Sequence, residues 1–289
     1  MTDGVQGEVG VGLPNTLDGA GSDIAAWAKR AEDRGFGYVA TIDRVVYPST
    51  DSLLSLAVAA GATSQIGLLT DILLAPAYPP LWLAKATASL AAMSSGRLTL
   101  GLGVGGRPDD YGAMERPFSR RGALMDQTLD LMRRSWAGEA VGGGDFPVGP
   151  TPPGGLVPVL IGGNSDAAVR RTVEYGDGWT AGGGGPDMAA PMIEQVRAAW
   201  RDAGRGGAPR LGALVYFGLG HEDESRAALR SYYGFLPDWV EGIVESAVRT
   251  TAALRATVDA FAGVGITEVA FIPTVSSLDQ VDGLADAVL

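Results

Sequence analysis

The chain has 289 residues, no cysteine, one histidine (His221) and a formal net charge of −11. Disulfides, thiolate metal centres, multi-histidine metal sites and a cysteine nucleophile are thereby excluded, and no metal site is expected. So acidic a chain is a poor partner for a phosphate backbone or an anionic membrane, so neither nucleic acid nor membrane is expected as a partner.

With 46% hydrophobic residues the chain can fill a large core, and one domain over 1–289 is expected, since α/β barrels of this length are commonly one unit. No run of 18 apolar residues predicts a membrane span. The polar, acidic start MTDGVQGEVG lacks a signal-peptide pattern, and a cytoplasmic location is expected.

A short buried strand is predicted over 9–14. Ser22 is the expected cap of a helix whose Ile24, Trp27, Ala28 and Ala31 share one face and which Gly35 ends. The second strand covers 38–42 and closes on Asp43-Arg44; a helix follows over 52–62. The apolar run 66–74, interrupted by Thr70 and Asp71, reads as the third strand. Pro79-Pro80 opens a helix to about 93, because proline suits a first turn, and Ser94-Ser95-Gly96 turns the chain into a fourth strand over 98–104.

The second half repeats the alternation. A helix over 119–136 carries Met125, Leu129, Met132 and Trp136 on one stripe, and the Gly/Pro-rich stretch 142–155 is a surface loop. A fifth strand over 157–161 ends in Gly162-Gly163-Asn164 and leads into a helix over 166–175. The sixth, over 178–181, ends in four glycines before a helix opened by Pro186. The seventh covers 211–219. A helical excursion at about 220–262 follows, broken near 234–237, then an eighth strand over 268–272 and a last helix over 279–289.

Eight apolar strands, each followed by helix, predict a parallel sheet covered by helices, and hence a (β/α)8 TIM-type barrel. The rival, an open doubly wound sheet, lacks a dinucleotide fingerprint after its first strand. A barrel carries its site at the C-terminal ends of its strands. Three consecutive ends, the fourth to the sixth, are glycine-rich, and the fourth (RLTLGLGVGGR) delivers Arg107. Bare backbone beside a guanidinium and a helix N-terminus at Ser165-Asp166 make an anion seat. Tight strand packing is the other use of such glycines.

Several segments resemble the luciferase-like monooxygenase family with its flavin- and deazaflavin-dependent members. They are AEDRGFGYVATIDR, LLAPAYPPLWLAKATASLAAMSSGRLTLGLGVGG, VPVLIGGN, YGDGWTAGG and VAFIPTVSSLDQVDGLAD, in the family's order along nearly the whole chain. The resemblance implies a (β/α)8 barrel that holds a flavin or deazaflavin in its mouth. Gly105, Gly106 and Arg107 would lie at the cofactor phosphate, capped by Gly162, Gly163, Asn164 and Ser165. Thr70 and Asp71 would run beneath the ring.

The chain departs from the family at one point. Many members carry a histidine after the acid at the second strand end, and here that residue is Arg44. Arginine is a poor base but can hold an anion. Arg44, Asp71 and Asp43 are therefore the expected catalytic residues, with a structural Asp71 ion pair to Arg44 or Arg107 as the alternative. Tyr232, Tyr233 and Phe235 are expected to wall the substrate pocket. Asp109-Asp110 is expected in a solvated loop and His221 on the surface.

The expected function is an FMN-dependent monooxygenase acting on an organic small molecule, supplied with reduced FMN by a separate flavin reductase, and a homodimer. The alternatives are a deazaflavin (coenzyme F420)-dependent dehydrogenase or reductase, with Arg107, Arg116, Arg120 and Arg121 as a local basic patch, and a non-catalytic flavin-binding homologue.

Overall fold

Each strand is covered on one face by the barrel interior and on the other by a helix, so its sequence is apolar on both. The computed structural model describes residues 8–289. Its strands are β1 (Glu8–Gly12), β2 (Tyr38–Thr41), β3 (Gly67–Leu73), β4 (Leu98–Leu102), β5 (Val159–Gly162), β6 (Gly178–Ala181), β7 (Arg210–Phe217) and β8 (Glu268–Pro273). They pair in parallel and in chain order into a closed barrel. Gly10 of β1 lies opposite Tyr38 of β2 and Ala270 of β8, which closes the ring. The expected (β/α)8 barrel is thus the fold, and closure rules out the open sheet.

The helices are α1 (Ile24–Arg34), α2 (Ser52–Ala62), α3 (Pro80–Met93), α4 (Pro108–Ala113), α5 (Arg121–Trp136), α6 (Asp166–Tyr175), α7 (Pro186–Asp202), α8 (Glu222–Tyr233), α9 (Val240–Ser246), α10 (Thr251–Gly263) and α11 (Asp279–Val288). Strand alternation sorts side chains into two layers. Leu69, Leu160, Leu214 and Ala270 pack with Tyr38, Ala40 and Ile272 inside the barrel. Val39, Leu68, Leu98 and Leu100 pack outward against helices. Buried Trp136 of α5 donates its indole N–H to Ala84 O of α3 at 3.1 Å. That pins two neighbouring helices while burying a side chain worth about 2–3 kcal/mol.

Four local expectations are corrected. Ser22 does not cap α1. It lies inside a 3-10 turn, Ala20–Asp23, and its hydroxyl bonds Asp23. Arg107-Pro108-Asp109-Asp110 is not a loop but the start of α4, with Pro at its first position and both acids in its first turn. The expected helix over 119–136 begins as a 3-10 turn, Phe118–Arg120, before α5. The excursion after β7 breaks twice. Its second break returns to the barrel, where Val248 N donates to Tyr216 O at 2.8 Å.

The N-terminal end of the barrel, its base, is densely bonded. Arg97 donates to Ser94 O, Thr63 Oγ1, Ile66 O, Ala60 O and Thr63 O at 2.9–3.2 Å. It ties the ends of α2 and α3 to the starts of β3 and β4. Arg210 makes a two-pronged pair with Glu268 at 2.9 and 2.8 Å. Asp177 accepts from Val159 N at 2.8 Å. Gly178 is obligatory, because a Cβ there would sit 2.0 Å from Arg210 O.

Candidate active site

At the opposite end, the mouth, a cleft is lined by Asp43, Asp71, Arg107, bare backbone of Gly105, Gly106, Gly182 and Gly183, and an aromatic wall of Tyr216, Tyr232, Tyr233 and Phe235. The fourth strand's glycine run divides between two uses. Gly101 allows close packing, since a Cβ would lie 2.1 Å from Thr70 O, whereas nothing lies within 4 Å of a Cβ at Gly106. The first glycine serves the fold and the second leaves open backbone at the cleft.

Asp71 points into the barrel from β3 and accepts from Thr180 Oγ1 at 3.0 Å. Burial pushes its carboxyl up to about 7, against the Thr180 hydrogen bond and with a further push from Glu268. The alternative ion pair with Arg44 or Arg107 is not made, since no salt bridge joins Asp71 to either. Asp43 is also pushed up by burial to about 7, although Leu74 N and the Tyr78 hydroxyl both donate to it at 3.0 Å. Its oxygens are engaged, so it braces the loop after β3. The two acids titrate near neutrality because a carboxylate loses hydration when buried without a cation.

Arg44 does not line the cleft. Its guanidinium faces Asp109 at 3.3 Å and Asp110 at 3.5 Å and donates to Val46 O at 2.8 Å. Asp110 is fully buried and also accepts from Val45 N and Val46 N at 3.0 and 2.7 Å. Arg44 is therefore neutralised and locked to α4. Arg107 is different. It is 8% exposed, donates one bond to Tyr232 O at 3.0 Å, and its Nε has no partner. Its guanidinium carbon lies 4.0 Å from the Phe235 ring centre and 4.5 Å from that of Tyr232. Among the described residues no carboxylate approaches Arg107 within 4 Å. Tyr232 O belongs to the last turn of α8, where carbonyls lack helical partners and a cation is favoured.

The remaining expected residues lie around this cleft rather than in it. The Thr70 hydroxyl is on the outer face of β3 and donates to Gly101 O at 2.9 Å. Gly162, Gly163, Asn164 and Ser165 do not line the cleft. Gly163 O accepts the Trp179 indole N–H at 2.8 Å, Asn164 is exposed, and the Ser165 side chain caps α6 through Ala168 N. His221 is exposed, 3.8 Å from Glu224. Sequence reasoning missed Tyr216, Thr180 and Asp110. Proline followed by two acids is a helix-start signal and was available for Asp110. Nothing in an apolar strand distinguishes the inward face that carries Tyr216 and Thr180.

A second groove, between α2 and α3, is lined by Leu53, Leu54, Ala57, Trp82, Leu90 and Met93. It lies outside the barrel, and its polar lining is limited to Asp51 and Ser89. Among the described residues no group of three histidines or acids is arranged to hold a metal ion.

Comparison with known proteins agrees with this architecture. The profile of the luciferase-like monooxygenase family matches residues 7–264, and the chain belongs to that family. An uncharacterized protein of Mycobacterium tuberculosis (strain ATCC 25618 / H37Rv) is 32% identical over 209 residues, 62% of this chain and 71% of that protein. From the same organism, an F420-dependent hydroxymycolic acid dehydrogenase is 29% identical over 55% of this chain and 48% of its own length. The pyrimidine monooxygenase RutA of Allorhizobium ampelinum is 28% identical over 54% of this chain and 46% of its own. Among solved structures, an F420-dependent secondary alcohol dehydrogenase superposes with a TM-score of 0.80 at 19% identity, covering 98% of both chains. The monooxygenase RslO1 from Streptomyces bottropensis gives 0.74 at 21%, covering 97% of this chain and 96% of its own. These structures share the fold. The chain is a luciferase-like oxidoreductase-family barrel whose named relatives include F420-dependent dehydrogenases and monooxygenases.

Proposed function

We propose that this protein is a deazaflavin-dependent oxidoreductase that moves hydride to or from an organic small molecule. The observation that carries this reading is a group of arginines without acid partners. Among the described residues Arg107, Arg116, Arg120 and Arg121 have no carboxylate within 4 Å, although the chain carries an excess of acids. They follow β4, on the mouth side, and Arg116 reaches Pro76 O in the neighbouring loop at 3.4 Å. A basic rim suits the acidic tail of a deazaflavin cofactor, which FMN lacks.

The residues present fit a phosphate-bearing cofactor. The partnerless Nε of buried Arg107 is a strong donor left unused, and Gly105 and Gly106 beside it present bare backbone. When bound, the deazaflavin would supply the carbon that accepts or gives hydride. The protein's part is orientation and proton handling. Arg107 and the glycines hold the phosphate, and the aromatic wall excludes water. Burial pushes the Asp71 carboxyl up to about 7, so it can hold or release a proton near neutral pH. Asp110 and Arg44 fix the loop after β2 and take no part in proton transfer.

The aromatic wall also favours a second reading, the FMN-dependent monooxygenase expected from the sequence, because oxygen chemistry on a flavin needs a dry pocket. A parallel fluorescence titration of the apoprotein with FMN and with F420 decides between them. Tighter F420 binding, weakened by salt and by the triple change R116Q/R120Q/R121Q, is the expected result. Binding of FMN alone supports the monooxygenase. Binding of neither overturns both and leaves a non-catalytic homologue.

A further inference from the structure

The cleft wall contains two phenol hydroxyls that the roles above do not use. Tyr216 of β7 and Tyr233, the last residue of α8, meet with hydroxyl oxygens 2.6 Å apart and rings edge-on, 5.7 Å between centres. Both line the cleft. Each phenol carries one O–H proton, and the bond between them consumes only one. Neither hydroxyl has another partner among the described residues, so one donor is left over. A hydroxyl that accepts one hydrogen bond also donates its own more strongly.

Burial raises both phenols above the usual tyrosine range, Tyr216 with help from neighbouring tyrosines and Tyr233 against its bond to Tyr216. They stay protonated at neutral pH and act as donors rather than bases. The surroundings limit what they can meet. Ile42, Leu214 and Phe235 are apolar, and bare Gly183 leaves one face of the Tyr216 ring uncovered, since a Cβ there would lie 3.5 Å from it. The same cleft holds the carboxyls of Asp43 and Asp71 and also Arg107, whose guanidinium carbon lies 5.7 Å from the Tyr233 ring centre; an anion would go to Arg107, which leaves the phenol donor for a neutral oxygen acceptor.

We infer that the Tyr216–Tyr233 pair hydrogen-bonds the oxygen of the substrate, and that this substrate is a ketone, or its reduced alcohol, flanked by apolar groups. The inference rests on the oxidoreductase reading only for what happens to that ketone afterwards; the oxygen site itself is a property of the apoprotein. It would do part of the work of the histidine that Arg44 replaces, by polarising the oxygen rather than taking a proton.

The test uses apoprotein and two probes of the same shape, acetophenone and α-methylstyrene, which puts CH2 in place of the oxygen. The wild type is expected to bind acetophenone about 10-fold more tightly, the worth of one hydrogen bond of about 1.4 kcal/mol. The carbonyl stretch of acetophenone should shift to lower wavenumber on binding. In Y216F/Y233F both the preference and the shift should vanish, with the thermal midpoint recorded as a control for folding. Equal binding of the two probes, binding of neither, or a preference that survives in the double variant overturns the inference. If the double variant does not fold, the wild-type stretch decides alone, an unshifted band overturning it. Because no cofactor is present, failure of the deazaflavin reading would show in the FMN and F420 titrations and leave this result standing.

Discussion

The two ends of the barrel use the same residue types and bond them differently. At the base, Arg97 is held by five acceptors and Arg210 by both oxygens of Glu268. At the mouth, Arg107 has one hydrogen bond and an idle Nε, and two buried acids lack any cation. Saturated polar groups stabilise a fold, whereas a buried donor without a partner costs about 1–3 kcal/mol unless something binds it. That asymmetry fits the proposed division, with stability at the base and ligand binding at the mouth. Arg44 is instructive, because it sits at the mouth yet is charge-paired, facing Asp109 and Asp110 within 3.5 Å and donating to two carbonyls, although its Nε, like that of Arg107, makes no hydrogen bond.

The contrast breaks most visibly if Arg97 is replaced. Arg97→Met leaves four carbonyls and a hydroxyl without their donor and is expected to cost about 3–5 kcal/mol, read by urea unfolding. Cofactor affinity of the folded fraction should not change; a loss of affinity comparable to that of an Arg107 variant would erase the distinction between the two ends.

Arg107→Ala is the opposite case. Cofactor affinity should fall about 30-fold, on the order of 2 kcal/mol, while stability changes by about 1 kcal/mol or less, because the side chain is only partly satisfied in the free protein. An unchanged dissociation constant would remove Arg107 from the phosphate site.

Asp71→Asn sharpens the comparison through pH. The native carboxyl titrates at about 7 and the unfolded one near 3.8, so the native state binds the extra proton in between. Its contribution is largest below about pH 4 and is lost as pH rises through 7. The asparagine variant should therefore lose less stability than the wild type between pH 5 and pH 8, by on the order of 2 kcal/mol, measured as thermal midpoints. An identical pH dependence would show that Asp71 is ionised and compensated in the fold.

The smallest effect is expected at Ser165. It caps α6 in the structure, so Ser165→Ala should cost about 1 kcal/mol and leave cofactor affinity within twofold. A large drop in affinity instead would return Ser165 to the cofactor phosphate.

The strands and most helices were legible because both faces of each strand are buried and because Pro80, Pro186 and Gly35 mark helix ends by local chemistry. The family segments were legible as well, but two of the most characteristic, Ser95-Gly96-Arg97 and Gly176-Asp177-Gly178-Trp179, lie at the base or on the outer layer of the barrel and hold it together. The candidate site was legible only in part. Asp43, Asp71, Gly105, Gly106, Arg107, Tyr232, Tyr233 and Phe235 do converge on one cleft. Thr70 and the fifth strand's end do not, since strand alternation turns the Thr70 hydroxyl outward and Ser165 is spent on a helix cap.

By itself the sequence determined the eight-fold strand–helix alternation and the absence of thiol and multi-histidine chemistry, and it pointed to the strand C-terminal ends for a candidate site. These follow from local periodicity and composition. Only the tertiary structure decided which polar groups are satisfied. Whether Arg44 or Arg107 is free depends on Asp110 reaching it from α4 and on Tyr232 O arriving from α8. The meeting of Tyr216 with Tyr233 depends on an excursion of helices folding back onto β7. Such pairings join residues far apart in the chain, and no local pattern encodes them.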